Sequence, residues 1–212
     1  LDKEGVASYT IHGPCAWDDI QLNEALISLV KNSKVFIFGS LIARSKNSRN
    51  TLEKLLSVSN FSVFDVNIRP PHYNFRTLET LMNAADFIKF NDEELEEIVE
   101  KYDQKHQSFE QSMKFIASKT NTRNICVTRG SKGAILFYDN TFFYNSGFQV
   151  KVADTVGSGD SFLATLIDAL LKRSNPQKAI DLSCAIGALV AQNQGANPTI
   201  STQEIDAVLS QY

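Results

Sequence analysis

Residues 154–160 read Asp154-Thr155-Val156-Gly157-Ser158-Gly159-Asp160, and Ser161-Phe162-Leu163 open an apolar stretch behind them. Two glycines one residue apart allow a tight turn and let an anion come close to backbone N–H groups. The amphipathic helix predicted over 160–173 points its positive end at the same spot, with roughly half an elementary charge. Turn and helix together make a seat for a phosphate, or for the charge of a phosphoryl group in transfer. Asp160 stands at the mouth of that seat, where a carboxylate can take the proton of an attacking hydroxyl. The plain alternative is an ordinary turn with Asp160 as the helix N-cap. Composition weighs between the two. Gly-x-Gly-Asp alone arises by chance in about one chain in twenty of this length, and adding Asp154 and Thr155 lowers that to about one in several thousand.

Outward from the bend, strand-like and helix-like stretches alternate. The predicted strands are 35–38, 61–66, 86–90 and 124–128, with a less regular one at 6–11. Between them the apolar spacing predicts helices over 19–31, 48–58, 75–84, 91–101 and 108–119, the first capped by Asp18 or Asp19. The run at 35–38 is wholly apolar, as expected of a strand buried on both faces. Asp139-Asn140 between two apolar runs predicts a hairpin. Asn175 and Pro176 start another helix, with Gly195 just past its end, and a Ser201/Glu204 capping box starts a last one over 201–211. Such alternation argues a parallel sheet covered by helices on both faces. Ligands of such sheets bind at the carboxyl ends of the strands, so the polar residues after each strand are the candidates for chemistry.

The composition fits that class and excludes others. The chain has 212 residues, 43% hydrophobic and 21% charged, which is too apolar for disorder and suits one large domain or two small ones. A net charge of -3 makes a poor general binder of nucleic acid or anionic membrane. Cys15, Cys126 and Cys184 are far apart and odd in number, so neither a disulfide framework nor zinc spacing is read, and a cytoplasmic, reducing compartment is expected. No apolar run approaches a bilayer span, and no charged-then-apolar leader is expected. His12, His72 and His106 show no ligand spacing. Gly157-Ser158-Gly159 lacks the Lys of a Walker loop, and no Gly-x-Ser-x-Gly elbow occurs.

The stretch DTVGSGDSF resembles the second signature of the phosphofructokinase-B family of carbohydrate kinases, which have the ribokinase-like fold. The resemblance implies a three-layer α/β/α sandwich with a mostly parallel central sheet. It implies Asp160 as catalytic base, beside an anion hole made by the backbone of Gly157, Ser158, Gly159 and Asp160. Most members have Ala where Ser158 stands, a small change at a site made of backbone. Residues 85–94 (ADFIKFNDEE) resemble the segment in which Asn91 and Glu94 help hold Mg²⁺ and phosphate through waters. On their own, Glu93, Glu94, Glu96 and Glu97 read more readily as the solvated start of a helix, stabilised by its dipole. The resemblance makes Thr128, Gly130 and Gly133 part of a nucleotide-lining loop, although Gly-x-x-Gly alone more often marks a turn. It puts Thr155 with the nucleotide, and Gly195 and Asn197 beside the adenine, where Gly195 also suits a helix C-terminus ahead of Pro198. Residues 65–69 resemble an Asp-x-Asn-x-Arg segment, with Asn67 and Arg69 towards substrate or phosphate. The alternative there is an Arg–Asp pair bracing the loop. Ala16-Trp17-Asp18 is fructokinase-like, with Trp17 as a core anchor the other reading.

The function so implied is that of an ATP-dependent sugar kinase using ATP and Mg²⁺, with fructose as acceptor. The alternatives are ketodeoxygluconate kinase, ribokinase, nucleoside kinase, or a non-catalytic module that binds nucleotide or sugar. Expected partners are a small sugar, ATP and, for the intact protein, a second copy of itself, with no nucleic acid and no membrane. Family members have about 300 residues. Residues 1–212 match their C-terminal two thirds as one kinase domain, with 1–15 as a lid remnant. A first residue Leu1 and the lack of a Gly-Gly-Asn sugar signature predict a fragment without the N-terminal part and most of the lid. Such a fragment is expected to expose apolar core and to lose activity in isolation.

Overall fold

The computed structural model describes residues 11–105 and 108–211, and the chain divides into two compact units, one of residues 11–127 and one containing residues 128–211. The strand expected at 6–11 and most of the 1–15 segment lie outside the described residues. Strand order follows the chain within each unit, β1 to β4 in the first and β5 to β6 in the second.

In the first unit, β1 (Phe36–Gly39), β2 (Ser62–Asp65) and β3 (Phe87–Asn91) run parallel, with Gly39 opposite Asp65 and Asp65 opposite Lys89. β4 (Asn124–Thr128) completes its strands. The helices between them are α1 (Glu24–Asn32), α2 (Lys46–Leu56), α3 (Phe75–Asn83), α4 (Asp92–Lys101) and α5 (Phe109–Lys119). Each starts at an Asn or Ser (Asn23, Ser45, Asn74, Asn91, Ser108) whose side chain accepts a backbone N–H from the first turn. Caps of this kind contribute about 1 kcal/mol each. Leu52, Phe64, Leu78, Phe87, Phe90, Leu95, Ile98 and Met113 are fully buried between helices and strands. Each such side chain contributes about 1.5–3 kcal/mol by leaving water.

Three expectations are corrected here. The first helix starts at Glu24, capped by Asn23, and not at Asp18 or Asp19. Asp18 is taken by Arg44, whose Nε and Nη2 donate to its two oxygens at 2.6 Å each, while the Cys15 N–H donates at 2.8 Å. That pairing holds the Asp18 carboxyl down at about 2. Next to it, the Ile20 N–H donates to Ser48 Oγ (2.9 Å) and Thr51 Oγ1 donates to the Ile20 carbonyl (2.7 Å), so this segment spends its backbone groups on α2. Second, β1 is not buried on both faces. Ile37 is 43% exposed, because β1 is the first strand of the sheet order and, among the described residues, pairs with β2 alone. Third, Trp17 is 41% exposed and anchors no core.

In the second unit, β5 (Ala134–Tyr138) and β6 (Thr141–Asn145) form the expected hairpin. Asp139 (φ 48°) and Asn140 (φ 61°) are both left-handed, as a type I′ turn demands. Three helices follow: α6 (Ser158–Leu171), α7 (Pro176–Ala191) and α8 (Thr202–Leu209). Asn175 caps α7 with Pro176 at its first position, and the Ser201/Glu204 box caps α8. Phe162, Leu166, Ile167, Ile180, Leu189 and Val190 are buried in this unit. α6 begins two residues earlier than expected, at Ser158, which brings Gly159 and Asp160 into its first turn. No helix among the described residues is long and apolar enough to cross a membrane.

Candidate active site

The bend at 154–160 is built by its own polar groups. Asp154 accepts from the Val156 N–H with Oδ1 (3.0 Å) and from the Gly195 N–H with Oδ2 (3.1 Å), which holds its carboxyl below the usual range. The amides of Ala153 and Asp154 donate to the Ala191 carbonyl at the end of α7. Gly157 then turns at φ 79°, and a Cβ there would lie 2.6 Å from the Ala196 backbone. Only glycine permits both that dihedral and that approach. Ser158 Oγ donates to the Gly187 carbonyl (2.8 Å) and ties the start of α6 to α7. The glycine bend, the first turn of α6 and the 195–197 loop therefore lie against one another.

What the bend leaves over is chemically useful. The N–H groups of Gly157, Gly159 and Asp160 donate to no other described residue. The Asp160 carboxylate is exposed and makes no hydrogen bond or ion pair among the described residues. The N-cap is Gly157, so Asp160 is not a capping residue. Nearby, Asn197 helps line a shallow pocket of about 310 Å³ with Ser161, Thr165, Val190 and Ile200. Thr155 is exposed, and its carbonyl accepts from the Ser158 N–H.

Thr128 ends β4, and the turn after it separates the two glycines of the 130–133 loop. Gly130 (φ 53°) is exposed with open space around it. Gly133 (φ 77°) is buried, and a Cβ would fall 2.1 Å from the Asn145 carbonyl. Its carbonyl and N–H close the turn with Arg129 and Gly130. Gly133 therefore serves the packing of the loop on β6, and Gly130 is the residue of the pair left open to a ligand.

In the first unit, the structure joins two segments that the sequence offered separately. Glu94 accepts from the Asn91 N–H with Oε2 and from the Ile68 N–H with Oε1, both at 2.9 Å, while Asn91 Oδ1 accepts from the Glu94 N–H at 2.7 Å. The first and third of these bonds are a capping box, so these residues do start a helix, but Glu94 is buried there and not solvated as that reading expects. The second fastens the 65–69 loop to it. Burial pushes the Glu94 carboxyl up, against its backbone hydrogen bonds and Lys89. Arg69 does not pair with Asp65. Its Nη2 donates to Asn67 Oδ1 (2.7 Å), its Nη1 donates to the Ile68 carbonyl (2.9 Å), and Asn67 Nδ2 donates to Asp65 Oδ2 (3.3 Å).

Asp65 is instead paired with Lys89, Nζ to Oδ1 2.8 Å, with both side chains buried. Burial alone would lower the Lys89 ammonium, but the Asp65 charge and hydrogen bond outweigh it and the net shift is upward. Sequence reasoning passed over this pair, although a lone Lys inside the apolar run Phe87-Ile88-Lys89-Phe90 was the available signal. It also missed a pocket of about 590 Å³ whose wall includes Asp18, Ser40, Arg44, His72 and Asn74. Ser40 Oγ donates from that wall to the Asn67 carbonyl at 3.0 Å.

Mg²⁺ fits the first-unit cluster in one way only. No group of three His, Cys, Asp or Glu capable of holding a metal occurs among the described residues. Both Glu94 oxygens and Asn91 Oδ1 already accept backbone N–H groups. The donor set would suit Mg²⁺ only as an ion that keeps its waters, with Asn91 and Glu94 reaching it through them.

Comparison with known proteins gives the family. The family model for pfkB family carbohydrate kinases matches residues 10–203. Fructokinase-2 of Solanum lycopersicum is 27% identical over 195 residues, covering 84% of this chain and 58% of that protein. A Vibrio cholerae fructokinase structure with fructose, ADP and calcium bound superposes with a TM-score of 0.74 at 24% identity, over 89% of this chain and 65% of that one. A Thermotoga maritima 2-dehydro-3-deoxygluconokinase gives 0.76 at 19%, over 87% and 62%. At such identities the structural likenesses carry the fold, which is the ribokinase-like α/β sandwich. The chain spans about three fifths of the length of the first curated relatives it matches. With its glycine bend, its Asn-x-x-Glu helix start and a family match over residues 10–203, this chain belongs to the pfkB family of carbohydrate kinases.

Proposed function

We propose that the chain bears the phosphoryl-transfer residues of an ATP-dependent sugar kinase, which moves the γ-phosphate of ATP to a primary hydroxyl of a small sugar, with fructose as the acceptor. The observation that carries this reading is Asp160, an exposed carboxylate set beside three amides at a helix start, all four without a partner among the described residues. Asp160 takes the proton of the sugar hydroxyl. The hydroxyl oxygen attacks the γ-phosphorus in line, the bond to the β,γ-bridging oxygen breaks, and ADP leaves. The amides of Gly157, Gly159 and Asp160 and the positive end of α6 meet the charge on the γ-phosphoryl oxygens, while the Ser158 amide holds the bend through the Thr155 carbonyl. Removing one such donor costs roughly 3–4 kcal/mol in comparable sites.

Thr128, Gly130, Thr155, Gly195 and Asn197 line the nucleotide, and Asn67 and Arg69 meet substrate or phosphate oxygens. When bound with ATP, Mg²⁺ supplies charge neutralisation on the phosphates, and Asn91 and Glu94 hold its waters. Fructose as the acceptor is supported by the fructokinase relatives. The same reading makes the intact protein a cytosolic homodimer, with its three cysteines in no disulfide.

A second reading has one observation in its favour. The Arg69 guanidinium suits a carboxylate, and so an acidic sugar such as 2-dehydro-3-deoxygluconate. Transfer from γ-labelled ATP to fructose, 2-dehydro-3-deoxygluconate, ribose and adenosine separates the cases. Fructose is expected to give the highest kcat/KM. Preference for the acid sugar supports the second reading, and ATP binding with no transfer to any acceptor refutes both.

A further inference from the structure

We propose that Lys89 is a positioning residue, which acts through Asp65 and Asn67 to hold the Arg69 guanidinium in place for a substrate oxygen. The proposal rests on the kinase reading for its purpose, but the geometry that carries it is independent of that reading.

The chain of contacts is continuous. Lys89 lies opposite Asp65 where β3 runs beside β2, and the two side chains meet in the interior. Lys89 Nζ occupies one Asp65 oxygen, and Asn67 Nδ2 occupies the other. Asn67, itself at φ 47°, presents its Oδ1 to Arg69 Nη2. Arg69 is half-exposed, and these contacts spend two of its five N–H groups, leaving the rest for a ligand. The loop is also fixed from the side, by Ser40 on the Asn67 carbonyl and by Glu94 on the Ile68 N–H.

A buried ion pair is a poor device for stability alone. Well-packed apolar residues of similar volume commonly serve as well or better, whereas removing one partner leaves an uncompensated charge. What the charged pair does, and an apolar pair would not, is orient Asp65 towards Asn67. Without Lys89 the Asp65 carboxyl must take a proton or seek another donor. In both cases the acceptor that fixes Asn67 changes, and Arg69 loses its rest. This resembles the way outer-shell groups orient the groups that touch a ligand, where loss of one costs roughly 10–100-fold.

The test uses the intact protein that contains these residues, its Lys89→Met variant and the double variant Asp65→Leu/Lys89→Met, with three readouts. These are the melting temperature, steady-state phosphoryl transfer, and the ¹⁵N–¹H signals of the Arg69 side chain in the absence of ligand. Lys89→Met is expected to melt lower, to lose about 10–100-fold in turnover, and to show averaged Arg69 signals. The double variant is expected to recover most of the melting temperature while turnover stays low and Arg69 stays averaged. Recovery of Arg69 order or of turnover together with stability would make the pair merely structural and overturn the proposal. Wild-type Arg69 signals in Lys89→Met would overturn it as well. If Lys89→Met does not fold, the double variant decides alone. If the wild-type protein phosphorylates no sugar, the kinase reading falls, and the Arg69 signals still decide whether Lys89 positions that side chain.

Discussion

At Gly157 the backbone has no freedom to accept a side chain. Its φ of 79° and the 2.6 Å approach of the Ala196 backbone act together. Gly157→Ala should therefore lower the melting temperature. The left-handed dihedral alone costs roughly 1–2 kcal/mol in a residue with a Cβ. It should also weaken ATP binding by calorimetry, since the bend must move away from the 195–197 loop. An unchanged melting temperature and ATP affinity would show that the bend tolerates a Cβ. The residues legible in the sequence are those whose roles are set within a few positions of one another. Gly157, Gly159 and Asp160 form one turn, and Asn91 and Glu94 form one capping box. Roles set by distant partners were hidden. The Asp154 contact with Gly195, the Asp65–Lys89 pair and the Ile68 bond to Glu94 all join segments that only the fold brings together. Arg69 shows the difficulty plainly. A neighbouring Asp65 suggested a pair, but Lys89 had already claimed that carboxylate.

Elements follow the same rule. Strands and helices with local start or stop signals fall where expected. The Asp139-Asn140 turn, the Asn175-Pro176 start of α7 and the Ser201/Glu204 start of α8 are examples. α1 does not, because the aspartate expected to cap it pairs with Arg44 and the Ile20 backbone is bound to α2. The exposure of β1 was equally out of reach, since an apolar run records what a strand can bury and not how many neighbours it has. On α6 the packing is tight enough to measure. Leu166 is fully buried there. Leu166→Ala should destabilise the protein by about 2–5 kcal/mol in urea unfolding. A change under about 0.5 kcal/mol would mean that the second unit does not pack as described. Loosening of this helix should also blunt its role at the bend, because its first turn supplies the Gly159 and Asp160 amides.

For the whole molecule, the family assignment narrows the chemistry, and the site narrows it further. A weakly acidic chain has no general attraction for phosphate, so any charge stabilisation must be local. In the second unit the proposed place for it is the start of α6, where amides stand beside a carboxylate, none of them with a partner among the described residues. Phosphoryl transfer asks for these two things of a protein, a place for the moving charge and a base for the incoming hydroxyl. The most direct measurement is single-turnover transfer from γ-labelled ATP to fructose by the wild-type protein and by Asp160→Asn, with ATP affinity measured alongside. The expected result is a 10²–10⁴-fold slower transfer with ATP affinity kept within about twofold. Transfer by Asp160→Asn at close to the wild-type rate would contradict the assignment of Asp160 as the base.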